Sequence, residues 1–242
     1  MYRLLLLVLF ALGSCAPAYI SNSRNTPLFG EAGEFAGAVV LASGIEAQLA
    51  GSITDHVAVM GAGSAIFKKY SDPTYSKDYF FYEGGLGYFG RSRAARYEVF
   101  AGYGMGQGNS YDSYYFFQTS SQAVVTHGKF QRIFVQPSVG TNNKKFNLIF
   151  SARFSMVDFT EFSTTDPLVV PSLQTYKPTE GFHLVFEPSL ITRFRLAGNL
   201  HGFFQLNVNA PIPNDAVFGH VPLQGAIGIQ LHTGQLRTNV YR

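Results

Sequence analysis

The sequence predicts an all-β chain closed into an antiparallel up-and-down transmembrane β-barrel of about ten strands, within a range of about eight to twelve. Three observations predict it. The first is the stretch Phe146–Asp158, FNLIFSARFSMVD, in which Phe146, Leu148, Phe150, Ala152, Phe154 and Met156 fall on one face and Asn147, Ser151, Arg153 and Ser155 on the other. A period of two over that length is a strand with one apolar face, and it is long enough to cross a bilayer at a tilt. The second is composition. Charged residues are only 14% of the chain and aromatics 15%, well short of the roughly 25% charge of soluble domains, so much of the surface does not face water. No apolar run reaches the 18 or so residues of a spanning helix, which leaves a barrel as the way to span. The third is rhythm: short and long connections alternate between the strand candidates, which places the long loops at one end.

In chain order, Met1-Tyr2-Arg3 is a short basic start, Leu4–Leu12 a short apolar core, and Gly13-Ser14 are small residues before Cys15, the one cysteine of the chain. That is the layout of a secretory signal. The run Leu12-Gly13-Ser14-Cys15 resembles the bacterial lipobox. The resemblance implies cleavage before Cys15 and acylation of the cysteine, palmitate included, with more than one chain for stable anchoring. The alternative is an ordinary cleavage site followed by a chance cysteine. The expected organisation is therefore a signal peptide over 1–14, an acylated cysteine with its tether over 15–33, and a barrel over 34–242. Within the second part, residues 16–33 hold two prolines and no periodicity, and read as a tether or as an N-terminal plug.

The strands follow, punctuated by Gly, Asn, Asp and Pro. They are Glu34–Ala42, Ile45–Ile53, Val57–Phe67, Tyr79–Phe89, Arg96–Gly106, Gly128–Gly140, Phe146–Asp158, Gly181–Leu196, Leu200–Asn209 and Leu223–His232. The longest loop is expected over Gln107–His127. Both chain ends are expected on the short-turn, periplasmic side. Pro137 and Pro188 interrupt strand candidates, and a closed sheet has no edge to host them, so bulges are expected there.

The face pattern decides inside from outside. Glu46, Glu83, Glu98, Arg132, Arg153, Glu187 and Arg193 share the polar face with glycines, serines and glutamines, while the lysines sit in expected loops, turns or strand ends. A water-facing surface would carry Lys and Asp, so this face is read as a narrow, filled lumen. The opposite face carries Val39, Leu41, Tyr82, Leu86, Val99, Tyr103, Ile133, Val135, Leu148, Phe150, Leu184, Phe186, Phe204, Leu206, Ile227 and Ile229. Tyr79, Phe80, Tyr88, Phe89, Tyr97, Phe146, Phe159, Phe162, Phe182 and Phe194 crowd the strand ends, where interfacial girdles lie. As a pattern over Glu34–His232, the chain resembles the small outer-membrane β-barrels of Gram-negative bacteria, of the OmpA-like barrel type. Such barrels often end on an aromatic residue, whereas Tyr241 here is penultimate. The resemblance implies the bacterial outer membrane as location, and as partners its lipids and the export and barrel-assembly machinery.

The seven lumen charges point to a charge network that blocks the lumen, since unpaired ions there are costly. The alternative is the selectivity constriction of a narrow outer-membrane pore. Two further classes remain. A rim enzyme, a protease or a lipid-modifying enzyme, would draw on Asp112, His127, Asp158, Asp166, Asp215 and His220, none of which forms a tight pair in sequence, so no catalytic residue is assigned. A lipid-tethered soluble barrel would invert the faces and bind an apolar ligand. Tyr111, Tyr114 and Tyr115 form an aromatic loop cluster suited to a partner or glycan. Arg91, Arg93, Arg96, Lys144 and Lys145 gather at the short turns, near anionic headgroups. There is no metal-ligand cluster or phosphate loop in the sequence, and neither a cofactor beyond the covalent lipid nor nucleic acid is expected at a net charge of +3.

Overall fold

A computed structural model describes residues 19–69, 75–112, 124–143, 145–165, 182–212 and 220–233. The strands are β1 (Phe35–Leu41), β2 (Ile45–Ser52), β3 (Val57–Lys69), β4 (Tyr75–Arg91), β5 (Ala95–Asp112), β6 (Val124–Thr141), β7 (Phe146–Thr164), β8 (His183–Ala197), β9 (Leu200–Val208), β10 (Ala210–Ile212) and β11 (Leu223–His232). Each pairs antiparallel with its neighbours, β1 pairs β11, and β11 pairs β9, which pairs β8, so the sheet closes. β10 continues the ninth wall strand on β8 after a break at Asn209. The wall is thus a closed ten-strand barrel.

The strand pattern dictates the faces. Along β6 the burial alternates residue by residue, with Thr126, Phe130, Arg132, Phe134, Gln136 and Ser138 inward and Val125, Ile133, Val135 and Val139 outward. From Phe146 to Met156, β7 exposes Phe146, Leu148, Phe150, Phe154 and Met156. The outer wall is therefore an apolar belt about 25 Å tall at the usual strand rise and tilt. On β4–β7 the strands continue past this belt at the long-loop end, where Asp78, Gln107, Asn109, Lys129 and Glu161 appear on the wall.

That extension corrects the expected loop boundaries. Gln107–Asp112 and Val124–His127 are paired strand, Asp112 with Val124 and Asn109 with His127, so the longest expected loop shrinks from both sides. Lys77, expected in a loop, lies within β4, and Lys129, expected at a strand end, lies inside β6. Glycine, asparagine and serine marked a break there, but the ladder continues because each residue has a partner across it.

The prolines cause no register shift. Val135 pairs Phe154, Ser138 pairs Ser151, and Pro188 pairs Ala152, all in unbroken register. The irregularities fall instead at Lys129/Phe130 and Arg195/Ala197. The aromatic girdle is also thinner than expected: Tyr79, Phe89 and Phe162 are buried inside. Tyr79 and Phe89 share the inward parity of Glu83, and the register shift opposite Lys129/Phe130 turns Phe162 inward, while Phe80, Tyr88, Tyr97, Phe146, Phe182 and Phe194 are exposed.

Inside, glycines make room for rings. Phe100 lies opposite Gly87, Phe134 opposite Gly102, Phe130 opposite Gly106 and Phe203 opposite Gly228. A Cβ on Gly102 or Gly106 would stand 2.5 Å from the facing phenyl ring. Glycine on the lumen face is thus the complement of a large ring on the next strand.

Candidate functional site: the occupied lumen

The feature that fills the barrel is the segment before it. Residues 19–29 are buried throughout although they form no strand. They run along the lumen as a plug, not as a tether. At the long-loop end Tyr19 bridges His220 and packs with Ile20 against Tyr79, Phe81, Phe130, Val157 and Phe162. At the short-turn end Leu28 and Phe29 pack in the lower layers of the core, Phe29 against Phe89 and His232. Gly33, with φ +77°, turns the chain out into β1. Residue 19 therefore lies at the long-loop end, whereas the two ends of the wall, Phe35 and His232, meet at the short turns; the expected placement of both chain ends falls on residues outside the described ones.

An extended segment without secondary structure must find partners for its buried amides. Side chains of the wall supply them. Tyr79 Oη donates to Ile20 O at 2.6 Å. The Ser23 N–H donates to Glu46 Oε2 at 2.9 Å, and Gln48 Nε2 donates to Ser23 O at 3.1 Å. Gln136 Nε2 donates to Asn25 O at 2.8 Å, and Arg193 donates to Thr26 O. The Leu28 N–H donates to Glu98 Oε2 at 2.7 Å, and Arg96 Nη1 donates to Leu28 O at 2.9 Å. Leu28 is the one described non-glycine residue at positive φ, 53°; its strained backbone is clamped from both sides.

The charged side chains meet around Asn22 and Arg24. Glu83 pairs with Arg132 and, at 3.2 Å, with Arg153. Asn22 enters this group: its Nδ2 donates to Glu83 Oε1 at 2.7 Å, while its Oδ1 accepts from Arg132 at 2.8 Å and Arg153 at 2.9 Å. Arg24 Nη2 lies 3.3 Å from Glu187 Oε2, and Tyr19 Oη donates to Glu187 Oε1 at 2.6 Å. Arg132 and Arg153 also lie over the rings of Phe81 and Phe134, at 4.5 and 4.6 Å from their centroids, a favourable placement for a desolvated cation.

The seven sequence-assigned lumen charges, Glu46, Glu83, Glu98, Arg132, Arg153, Glu187 and Arg193, are all buried in the lumen. They do not form one wall-to-wall network. Glu46, Glu98 and Arg193 each hold plug backbone, while Glu83 pairs with Arg132 and Arg153 and Glu187 lies 3.8 Å from Arg132 Nη1. Sequence reasoning missed Arg24, the fourth lumen guanidinium, and Asn22. The wall offers four buried carboxylates against three buried guanidiniums at Glu46, Glu83, Glu98, Glu187 and Arg132, Arg153, Arg193, and Arg24 balances them. The signal was that one-charge excess, together with an arginine in an otherwise uncharged segment, Ala16–Gly30.

A small cavity lined by Arg24, Thr26, Arg193, Gln205 and Gln230 has a volume of about 10 Å³, roughly the room of one water. On the outer wall a wider groove of about 310 Å³ runs between Phe80, Tyr82, Met105 and Lys129.

The described rim candidates, His127, Asp158 and His220, are not shown in contact with one another. His127 contacts Asn109 and Glu161 on the outer wall, and Asp158 accepts from Gln131 Nε2 at 2.8 Å. His220 sits beside Tyr19. Asp166 and Asp215 lie outside the described residues, as does the side chain of Asp112. Among the described residues no group of three or more His, Cys, Asp or Glu could hold a metal. Tyr111 is half-buried at the long-loop end of β5; Tyr114, Tyr115 and Cys15 lie outside the described residues. At the short turns Arg91, Arg93 and Lys145 are exposed, while Arg96 turns inward to the plug; Lys144 lies outside the described residues.

No family model matches the chain, and no curated protein is similar to it. Among solved structures it is similar to the translocator domain of autotransporter NalP from Neisseria meningitidis, with TM-score 0.45 and 8% identity over 82% of this chain and 86% of that one. It is also similar to the porin NanC, with TM-score 0.29 and 10% identity over 83% of this chain and 99% of that one. At these values the likeness carries no functional information; the barrel rests on its own strand pairing.

Proposed function

We propose that the protein is a plugged outer-membrane β-barrel, lipid-anchored in addition through Cys15, with a structural or surface-interaction role rather than a transport role. Its lipid-facing surface is the apolar belt, from which Val39, Leu86, Ile133, Phe150 and Ile227 project. Its partners are the membrane lipids, the export and barrel-assembly machinery, and a ligand met at the long-loop end near Tyr111, Tyr114 and Tyr115.

The observation that carries this reading is the plug itself, buried over 19–29 and hydrogen-bonded to side chains of the wall along its length. A conduit would need that volume free. The polar interior likewise speaks against a soluble barrel with an apolar ligand pocket. The test is conductance in a planar bilayer. The full chain after Cys15 conducts no steady current, whereas a variant lacking 19–30 does. Steady conductance by the intact chain would return the protein to the pore class.

A further inference from the structure

The course of the plug assigns a side to the lipid. Tyr19 is held at the long-loop mouth by Glu187, Arg132 and the pairing with His220. The chain then descends to Gly30, whose N–H donates to Glu34 Oε2 at 2.7 Å beside the start of β1. Eleven steps of extended chain reach at most roughly 38 Å, enough to cross a belt about 25 Å tall. Cys15 is four residues before Tyr19 and so stays within roughly 14 Å of it. That reach is shorter than the belt is tall. Cys15 cannot return to the short-turn face while Tyr19 remains in place.

We propose that the acyl chains on Cys15 enter the leaflet on the long-loop side, opposite the face where both ends of the barrel wall lie. The inference rests on the reading of a membrane-spanning barrel acylated at Cys15. The recognised chemistry is a lipid surface, reached from the mouth of the barrel. The N-terminal end is then displayed on the same side as Tyr111, and the plug is locked between its lipid at one mouth and β1 at the other. Drawing it out toward the short turns would drag acyl chains through a polar lumen.

The test is labelling of intact cells with a membrane-impermeant maleimide, in the full-length chain. Single substitutions Ala18→Cys, Thr165→Cys and Asn142→Cys report the N-terminal end, the long-loop end and the short-turn end. Thr165 follows β7 and Asn142 follows β6. Ala18→Cys is expected to label like Thr165→Cys, and Asn142→Cys only after the outer membrane is opened. If Ala18→Cys labels only together with Asn142→Cys, the assignment of the lipid is overturned while the barrel reading stands. If Thr165→Cys and Asn142→Cys label alike, the spanning reading fails and takes the assignment with it. Labelling of the unsubstituted chain would mean a free thiol at Cys15 and would overturn the acyl anchor. An epitope inserted between Ala16 and Pro17 gives a second readout, with antibody access in intact cells as the expected result and access only after opening as the overturning one.

Discussion

Arg24 of the plug and Glu187 of β8 meet at 3.3 Å with neither side chain exposed. The two residues are far apart in sequence, and their contact joins the segment inside the barrel to its wall. Arg24 also donates from Nε to Glu187 O at 3.3 Å and from Nη1 to its own segment at Asn22 O, at 2.6 Å.

Removing one member of this pair leaves the other buried and uncompensated. Arg24→Ala is expected to destabilise the barrel by about 3–5 kcal/mol, and Arg24→Met with Glu187→Met by much less than the sum of the single changes. The check is denaturant-induced unfolding in detergent, followed by the loss of heat-modifiable gel migration. Equal and additive losses would mean the pair is not coupled.

Glu98 carries the amide of Leu28. Glu98→Ala strands a buried N–H at a residue already at positive φ, and the expected loss is about 1–3 kcal/mol. Amide exchange at Leu28 should accelerate in this variant ahead of exchange in β6. Unchanged protection would show that the clamp contributes nothing.

The glycine–ring complement predicts a sign. Gly102→Ala puts a methyl against both the Gly84 carbonyl oxygen and Phe134 and should cost about 1–3 kcal/mol. Adding Phe134→Leu should recover part of that loss, although Phe134→Leu alone destabilises. Thermal unfolding of the three variants decides it, and an additive double variant would remove the steric account.

The two faces of β6 and β7 respond oppositely to charge. Val135→Arg places a guanidinium on the belt and should cost about 2–4 kcal/mol in a bilayer. Arg153→Leu, on the lumen side, should also destabilise because Glu83 loses a partner. Refolding yields into vesicles measure both. A harmless Val135→Arg would show that this face does not meet lipid.

Acid should loosen the short-turn end first. Burial alone pushes the Glu34 carboxyl up, but the His232 imidazole 3.5 Å away and the hydrogen bond from the Gly30 N–H outweigh it and hold it below its ordinary range. The stabilisation from a depressed carboxylate is fully present above its unfolded value and is lost as pH falls through its folded one. Cysteine-labelling rates at Gly30→Cys should therefore rise below the ordinary carboxylate range. Glu34→Gln should flatten that rise, and an identical pH profile in Glu34→Gln would sink the assignment.

Much of the wall was legible because a strand writes its faces into every second residue. Phe146–Met156 announced its outward set, and Leu223–His232 emerged with the bounds read from its pattern. The in/out assignment of Glu83, Arg153 and Glu187 followed from parity. The long-loop ends of β5 and β6 were not legible, because Gln107–Asp112 reads as turn chemistry and becomes strand only through pairing with Val124–Lys129. Tyr79, Phe89 and Phe162 were assigned to the girdle by residue type, although parity sends Tyr79 and Phe89 to the lumen and the register shift opposite Lys129/Phe130 sends Phe162 there.

By itself the sequence determined the fold class, the strand order and the polarity of each face, since these are periodic properties of neighbouring residues. The plug, the clamp on Leu28 and the pairing of Arg24 with Glu187 were decided by the tertiary structure alone. Residues 19–30 carry no period, and their buried backbone groups are met by side chains of five wall strands that only barrel closure brings together, β2, β4, β5, β6 and β8. An aperiodic segment has no pattern to read; what places it is the unfilled hydrogen-bonding capacity of the polar lumen.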